Sequence, residues 1–240
     1  LAGAITAKNN NIRCFHVEAG LRSRNLDMPE ERNRMMVDAI CDKLYTPSSD
    51  AVQNLLGENV AIEKIKNVGN IMIDTLVKNL DRIVSKENFD PAEFSLERDY
   101  FVLTLHRPIN LTDSNLKTIF DGVSQFTKDY DILIPAHPRL RDFVVKNNID
   151  TTKFKVINPQ PYIKFLGLVN NSTLCLTDSG GLQEETTFLN KKCLTLRKET
   201  ERPITVEMGT NKVIGVNKNI ISEINDSLNT KLASYKEIEL

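Results

Sequence analysis

Thr177-Asp178-Ser179-Gly180-Gly181-Leu182-Gln183-Glu184-Glu185 follows directly on the apolar run Leu174-Cys175-Leu176. An apolar run of strand length that ends in small residues and resumes with helix-forming ones reads as strand, turn and helix. Such a turn brings free backbone N–H groups and the positive end of a helix to one point, which suits an anion. Two successive glycines let the backbone approach a phosphate closely, and Ser179 adds a hydroxyl. In open α/β sheets ligands bind at the carboxyl ends of the strands, where this turn lies. The same residues also fit a tight turn that needs glycine for its shape alone. Glu184 and Glu185 suit the helix dipole, but one of them would also accept hydrogen bonds from both hydroxyls of a ribose, which a site for phosphate alone does not need.

Outward from this segment, short apolar runs alternate with helix-period stretches, the pattern of a parallel sheet covered by helices. Strands are expected over residues 12–17, 43–46, 64–68, 100–105, 131–135, 154–157, 174–177, 193–196 and 213–216. Helices are expected over 30–41, 49–56, 71–85, 114–128, 140–147, 161–169, 181–189 and 218–232, and residues 1–8 read as the second half of a further helix. Residues 86–98 are polar, carry Pro91 and read as a loop. The expected division is therefore residues 1–75 as a piece of one α/β domain, 76–98 as a linker region, and 99–240 as a fuller second domain. Tyr162 and Phe165 open the helix before the glycine turn, where an aromatic ring either edges a nucleobase or packs in the core.

Of the 240 residues, 40% are hydrophobic and 26% charged, which is ordinary for a globular protein. The net charge of −1 supplies no broad field for nucleic acid or an acidic membrane, so an anionic ligand must be held by local groups. No run approaches the ~18 apolar residues of a membrane span. Cys14, Cys41, Cys175 and Cys193 form no C-x-x-C pair and sit among apolar neighbours, as expected of small buried side chains in a reducing, cytoplasmic compartment.

Three further constellations carry chemistry. His16-Val17-Glu18-Ala19-Gly20-Leu21-Arg22-Ser23 runs from a strand into a glycine turn and sets a carboxylate at the strand end. Met28-Pro29 introduces the next helix, on which Glu30 and Arg34 are four apart and share a face; a surface ion pair accounts for that spacing equally well. His106-Arg107 closes the strand over 100–105, pairing the usual neutral-pH acid or base with a cation suited to phosphate. His16, His106 and His137 are the only histidines, and each falls at or near an expected strand end. There is no H-E-x-x-H, cysteine cluster or Asp-rich loop for a metal, and neither G-x-G-x-x-G nor G-x-x-x-x-G-K-[ST] occurs. These absences argue against metal, nicotinamide and P-loop chemistry, and no cofactor is expected.

The sequence resembles the non-hydrolysing UDP-N-acetylglucosamine 2-epimerases. The resemblance rests on His16–Ser23, Pro29-Glu30-Glu31-Arg32-Asn33-Arg34, Val68-Gly69-Asn70, Thr104-Leu105-His106-Arg107, Pro135-Ala136-His137-Pro138, Thr177–Glu185, Thr200-Glu201-Arg202-Pro203 and Gly209-Thr210, spread in order along the chain. It implies an α/β fold of two Rossmann-like domains of the glycosyltransferase-B type, the first incomplete at its amino terminus, with UDP-sugar in the cleft. It implies interconversion of UDP-GlcNAc and UDP-ManNAc by elimination of UDP to 2-acetamidoglucal and re-addition. By the same resemblance Glu18, Glu30 and His106 are the acid–base or charge-positioning groups, and Arg34 is an active-site cation paired with Glu30. Ser179, Gly180 and Gly181 cradle the diphosphate, Glu185 holds the ribose, Phe165 walls the uracil pocket, and Arg202 belongs to the substrate site. Arg107 and His137 resemble residues that some bacterial members use for a second, activating UDP-GlcNAc.

The expected partners are a UDP-sugar and a second copy of the chain, with no nucleic acid and no membrane. Four departures from the family pattern stand out. A Gly-Asp-Thr segment carrying a catalytic Asp falls before Leu1, so the 240-residue chain alone is expected to turn over little. The family's H-R-x-E-N reads His106-Arg107-Pro108-Ile109-Asn110, its Asp-His reads Asp38-Ala39, and its carboxyl-terminal segment is not visible after residue 217. A hydrolysing relative, a glycosyltransferase of the same fold and an inactive UDP-binding fragment are the alternatives.

Overall fold

A computed structural model describes residues 1–85 and 89–232. The chain divides into two compact units, 1–75 with Glu199–Ile204, and 76–198 with 205–232. Each is a parallel α/β structure, the class expected of the sequence.

In the first unit β1 (Phe15–Val17), β2 (Lys43–Thr46) and β3 (Ile65–Asn67) pair in parallel in the order β1-β2-β3. The register sets Phe15 beside Lys43 and Leu44 beside Ile65. Parallel neighbours need crossover connections, and α2 (Pro29–Ile40) and α3 (Ser49–Gly57) supply them, while α1 (Ala2–Asn9) precedes β1. Pro29 begins α2, where its fixed φ and missing N–H cost nothing. The small core joins Ala4, Ala19, Cys41, Leu44 and Leu55. Gly20, just past β1, has φ +83 and lies hard against the Ala51 carbonyl of α3, so no side chain fits there.

The second unit is a six-stranded parallel sheet of β4 (Tyr100–Thr104), β5 (Asp131–Pro135), β6 (Lys155–Ile157), β7 (Leu174–Thr177), β8 (Cys193–Thr195) and β9 (Asn211–Val213). Their order is β6-β5-β4-β7-β8-β9, in which the chain builds outward from β4 to one edge and then restarts at β7 toward the other. That is the doubly wound Rossmann order, and the gap between β4 and β7 is its switch point. β5 and β7 are buried along their whole length, which explains the apolar runs Ile132-Leu133-Ile134 and Leu174-Cys175-Leu176 within them. Along β4, Phe101 and Leu103 join the core under α6 (Asp113–Ser124), α7 (Pro138–Lys146) and α10 (Ile220–Asn229). Tyr100 and Val102 join the opposite core, under α5 (Leu80–Val84), α8 (Tyr162–Asn171) and α9 (Gly180–Phe188). Each such buried side chain contributes roughly 1.5–3 kcal/mol of burial free energy.

Several boundaries differ from the sequence reading. The helix expected over 71–85 breaks at Asn79 into α4 (Ile71–Lys78) and α5. Residues 86–88 of the expected loop lie outside the described residues; beyond them, Asp90 caps a single 3-10 turn, Pro91–Phe94. In the stretch 76–98, Leu76, Ile83 and Phe94 are buried in the second unit's core. The last strand falls at Asn211–Val213 rather than 213–216 because the Asn211 side chain finds buried partners. It accepts from Thr195 Oγ1 at 2.7 Å and donates to Gln183 Oε1 at 3.1 Å and Thr205 Oγ1 at 3.0 Å. Cys41, Cys175 and Cys193 are buried as expected and Cys14 is half-buried. Among the described residues no helix is long and apolar enough to cross a membrane.

Candidate functional site

The carboxyl ends of β4 and β7 carry the chemistry of the second unit. Thr104 and Thr177 end the two strands in register, their hydroxyls 2.7 Å apart. Thr177 Oγ1 accepts the Ser179 N–H at 3.0 Å, which tightens the turn after β7. Ser179 then caps α9, its Oγ accepting the Leu182 N–H at 3.4 Å. Gly180 and Gly181 form the first turn of α9, where N–H groups have no intrahelical acceptor. Strand, turn and helix therefore stand as expected, with the helix end available to an anion.

A cavity of about 230 Å³ opens at this point, lined by His106, His137, Gln160, Phe165, Ser179 and Glu185 among others. It brings five of the expected site residues together from four separate segments of the chain. Phe165 is half-buried and Glu185 only 5% exposed. Burial pushes the Glu185 carboxyl up to about 7; a Tyr162 hydrogen bond opposes that shift and neighbouring Glu184 adds to it. Glu185 Oε1 is buried with no hydrogen-bond partner among the described residues. A buried carboxylate oxygen in a cavity wall is a strong acceptor awaiting donors.

His106 is anchored from below. Its Nδ1 lies 2.8 Å from Asp178 Oδ1, and Asp178 is fully buried. The same carboxylate accepts the His106 N–H at 3.1 Å, the Arg107 N–H at 2.9 Å and the Asn110 amide at 3.2 Å. Burial pushes this carboxyl up, but the hydrogen bonds and charge of His106, with the backbone N–H donors, outweigh it and hold Asp178 below the usual range. Arg107 Nε donates to the Asp178 carbonyl at 3.0 Å, which ties it to the turn. His137 caps α7, its Nδ1 accepting the Arg139 N–H at 3.2 Å, and its ring lies 5.9 Å from that of His106. Burial lowers the His137 pKa, and the nearby charges of His106 and Arg139 lower it further.

The first unit holds a separate cluster. Glu18 follows β1 with φ +70, a left-handed conformation uncommon for a residue with a Cβ. Its carboxylate accepts from Arg202 Nη2 at 2.7 Å, and the Arg202 side chain is 7% exposed. Backbone strain at a charged residue held by a buried partner is typical of functional positions. Glu30 is exposed on the first turn of α2. Arg34 donates from Nε to the Glu30 carbonyl at 3.4 Å and lies 3.6 Å from the Glu31 carboxylate. Burial lowers the Arg34 pKa, opposed by Glu201 and Glu31. Its Nη1 is buried without a partner among the described residues.

The sequence reading did not single out Asp178, Asp38, Glu31 or Asn110. Asp38 accepts from His16 Nδ1 at 2.5 Å, Gly20 N at 3.1 Å and Arg22 Nη1 at 2.8 Å. Glu31 takes the N–H groups of Ser23 and Arg24. A strand end, a histidine and a buried aspartate thus recur in both units. Each lies within a stretch compared with the family pattern, but an acidic residue beside a turn or inside a helix is by itself too common to mark a role. No group of three or more potential metal-ligating residues converges among the described residues.

A doubly wound parallel unit with a small-molecule cavity at its switch point defines the class of Rossmann-like ligand-binding proteins. Comparison with known proteins narrows it. Residues 1–239 match the family model described as UDP-N-acetylglucosamine 2-epimerase, and the chain belongs to that family. It is 42% identical to the UDP-N-acetylglucosamine 2-epimerase of Methanocaldococcus jannaschii, over 96% of this chain and 66% of that protein. It is 34% identical to the UDP-2,3-diacetamido-2,3-dideoxy-D-glucuronate 2-epimerase of Pseudomonas aeruginosa, over 93% of this chain and 62% of that protein. The crystal structure of the M. jannaschii enzyme in complex with UDP-GlcNAc and UDP aligns with a TM-score of 0.89 at 40% identity, covering 97% of this chain and 67% of that one. The chain thus spans about two thirds of the length of the relatives it matches.

Proposed function

We propose that this chain is part of an enzyme that inverts C2 of a UDP-2-acetamido sugar, interconverting UDP-GlcNAc and UDP-ManNAc without releasing the free sugar. The cavity at the β4–β7 switch point carries the reading, because it gathers an anion cradle, an aromatic wall, a buried carboxylate and a histidine in one place. In this reading Ser179 and the first-turn N–H groups of α9 take the diphosphate, with Gly180 and Gly181 allowing its approach. Phe165 edges the uracil, and Glu185 accepts from the ribose hydroxyls.

The chemistry follows from what the leaving group needs. A base takes the proton from C2, the C2–H electron pair becomes the C1=C2 bond of 2-acetamidoglucal, and the C1–O pair leaves with UDP. Charge grows on the β-phosphate as that bond breaks, and oriented N–H dipoles at a helix end stabilise it without reorganising. UDP then re-adds at C1 while a proton arrives on the other face of C2. Glu18, Glu30 and His106 take the acid–base and charge-positioning roles. Arg202 holds the Glu18 carboxylate in place, and Arg34 contributes positive charge beside Glu31.

The test is to incubate the full-length protein with UDP-GlcNAc in deuterated water and follow the anomeric region by NMR. UDP-ManNAc carrying deuterium at C2 is the expected product. Accumulation of free ManNAc with UDP would assign the hydrolysing reaction instead. Transfer of the sugar to an added acceptor, with no deuterium at C2, would assign a glycosyltransferase.

A further inference from the structure

The contacts of Asp178 are divided unequally between its two oxygens. Oδ2 receives three donors of fixed polarity: the His106 N–H at 3.1 Å, the Arg107 N–H at 2.9 Å and the Asn110 amide at 3.2 Å. Oδ1 receives the His106 N–H at 3.1 Å and faces His106 Nδ1 at 2.8 Å. An ionised carboxylate has no proton to give, so the hydrogen between Oδ1 and Nδ1 must belong to the imidazole. Asp178 is fully buried, so no solvent competes for these contacts. Asn110 is itself fixed by a second donation, to the Leu196 carbonyl at 2.9 Å, so the carboxylate has little freedom to turn.

We propose that Asp178 is the positioning residue for His106, holding its neutral ring as the Nδ1–H tautomer and leaving Nε2 as the proton acceptor at the cavity. This extends the reading of His106 as an acid–base group and rests on it for the consequence in turnover. The neighbouring histidine takes the opposite tautomer: His137 Nδ1 accepts the Arg139 N–H, so its neutral ring carries hydrogen on Nε2. The two rings, 5.9 Å apart, therefore offer the cavity one acceptor and one donor. A base that must collect a proton and later return it needs its acceptor nitrogen bare at the outset, and a buried carboxylate behind the other nitrogen secures that.

The geometry also dictates what Asp178→Asn would do. The donors at Oδ2 require an acceptor, so the amide oxygen takes that place and the NH₂ group falls opposite His106 Nδ1. There it donates, and the imidazole must move its hydrogen to Nε2. The tautomer reverses although the side chain keeps its size and shape. A purely structural role for Asp178, tying the loop to β7, would not reverse it.

The experiment is a long-range proton–nitrogen NMR spectrum of the protein at about pH 9, where free imidazole is neutral, with His106 assigned by His106→Gln. The wild type is expected to show a pyrrole-type Nδ1 and a pyridine-type Nε2 at His106, and Asp178→Asn the reverse. The same variant should lower kcat at least tenfold with little change in KM for the UDP-sugar. A wild-type His106 protonated on Nε2, or a folded Asp178→Asn protein that keeps the wild-type tautomer, would overturn the proposal. Should the variant fail to fold, the wild-type spectrum decides by itself. An Nδ1–H tautomer in a protein that exchanges no hydrogen at C2 would overturn the proposed reaction but uphold the pairing.

Discussion

Glu185 shows how one residue couples burial to ligand chemistry. Its carboxyl is raised to about 7 from an ordinary 4.5, chiefly by burial. Between those values the unfolded chain has released a proton that the folded chain still holds. Stability must therefore fall as pH rises from about 4.5 to about 7, and Glu185→Gln should remove that part of the dependence in urea melts at pH 5 and pH 8. Ligand binding runs the other way, since accepting from two ribose hydroxyls requires the carboxylate. UDP affinity should rise with pH through about 7, by up to ~tenfold per pH unit below it, and the rise should vanish in Glu185→Gln. Calorimetric titrations with UDP at pH 6 and pH 8 check this, and an unchanged affinity would remove Glu185 from the ribose. Ser179, Glu185 and Phe165 were legible in the sequence because strand, turn and helix follow one another without interruption around them. Asp178 was not, although it lies in the same stretch. Its role is set by His106, 72 positions away, and an Asp before a glycine turn reads equally well as an ordinary helix-start residue.

Elements were legible where burial leaves one solution. The strands over 131–135 and 174–177 lie where the apolar runs placed them, because strands buried along their whole length are largely apolar. The strand near residue 213 was misplaced by two residues because its first member, Asn211, satisfies its amide through Thr195, Gln183 and Thr205, and those partners come from elsewhere in the fold. Turns that demand positive φ give the sharpest prediction at this scale. Gly20 joins β1 to the loop before α2 with φ +83 and leaves no room before the Ala51 carbonyl. Gly20→Ala should cost about 2 kcal/mol or more from the strained backbone and the displaced α3 together. Equilibrium urea unfolding measures it, and a loss below about 0.5 kcal/mol, the size of an ordinary surface change, would show that the turn relaxes freely.

At the scale of the molecule, two parallel α/β units were foreseeable from alternating periodicity, and the family from motifs dispersed over the chain. The pairing of Glu18 with Arg202 was not, because 184 positions separate them and only the folded first unit brings them together. In the proposed reaction the C1–O bond to UDP breaks and re-forms during inversion at C2. UDP-GlcNAc labelled with ¹⁸O in the oxygen bridging the sugar and the β-phosphate tests it directly. Once UDP is released its β-phosphate oxygens become equivalent by rotation, so recovered UDP-sugar should carry label scrambled into the non-bridging positions at a rate comparable to epimerisation. Epimerised product that retains all of its ¹⁸O in the bridge would contradict the account.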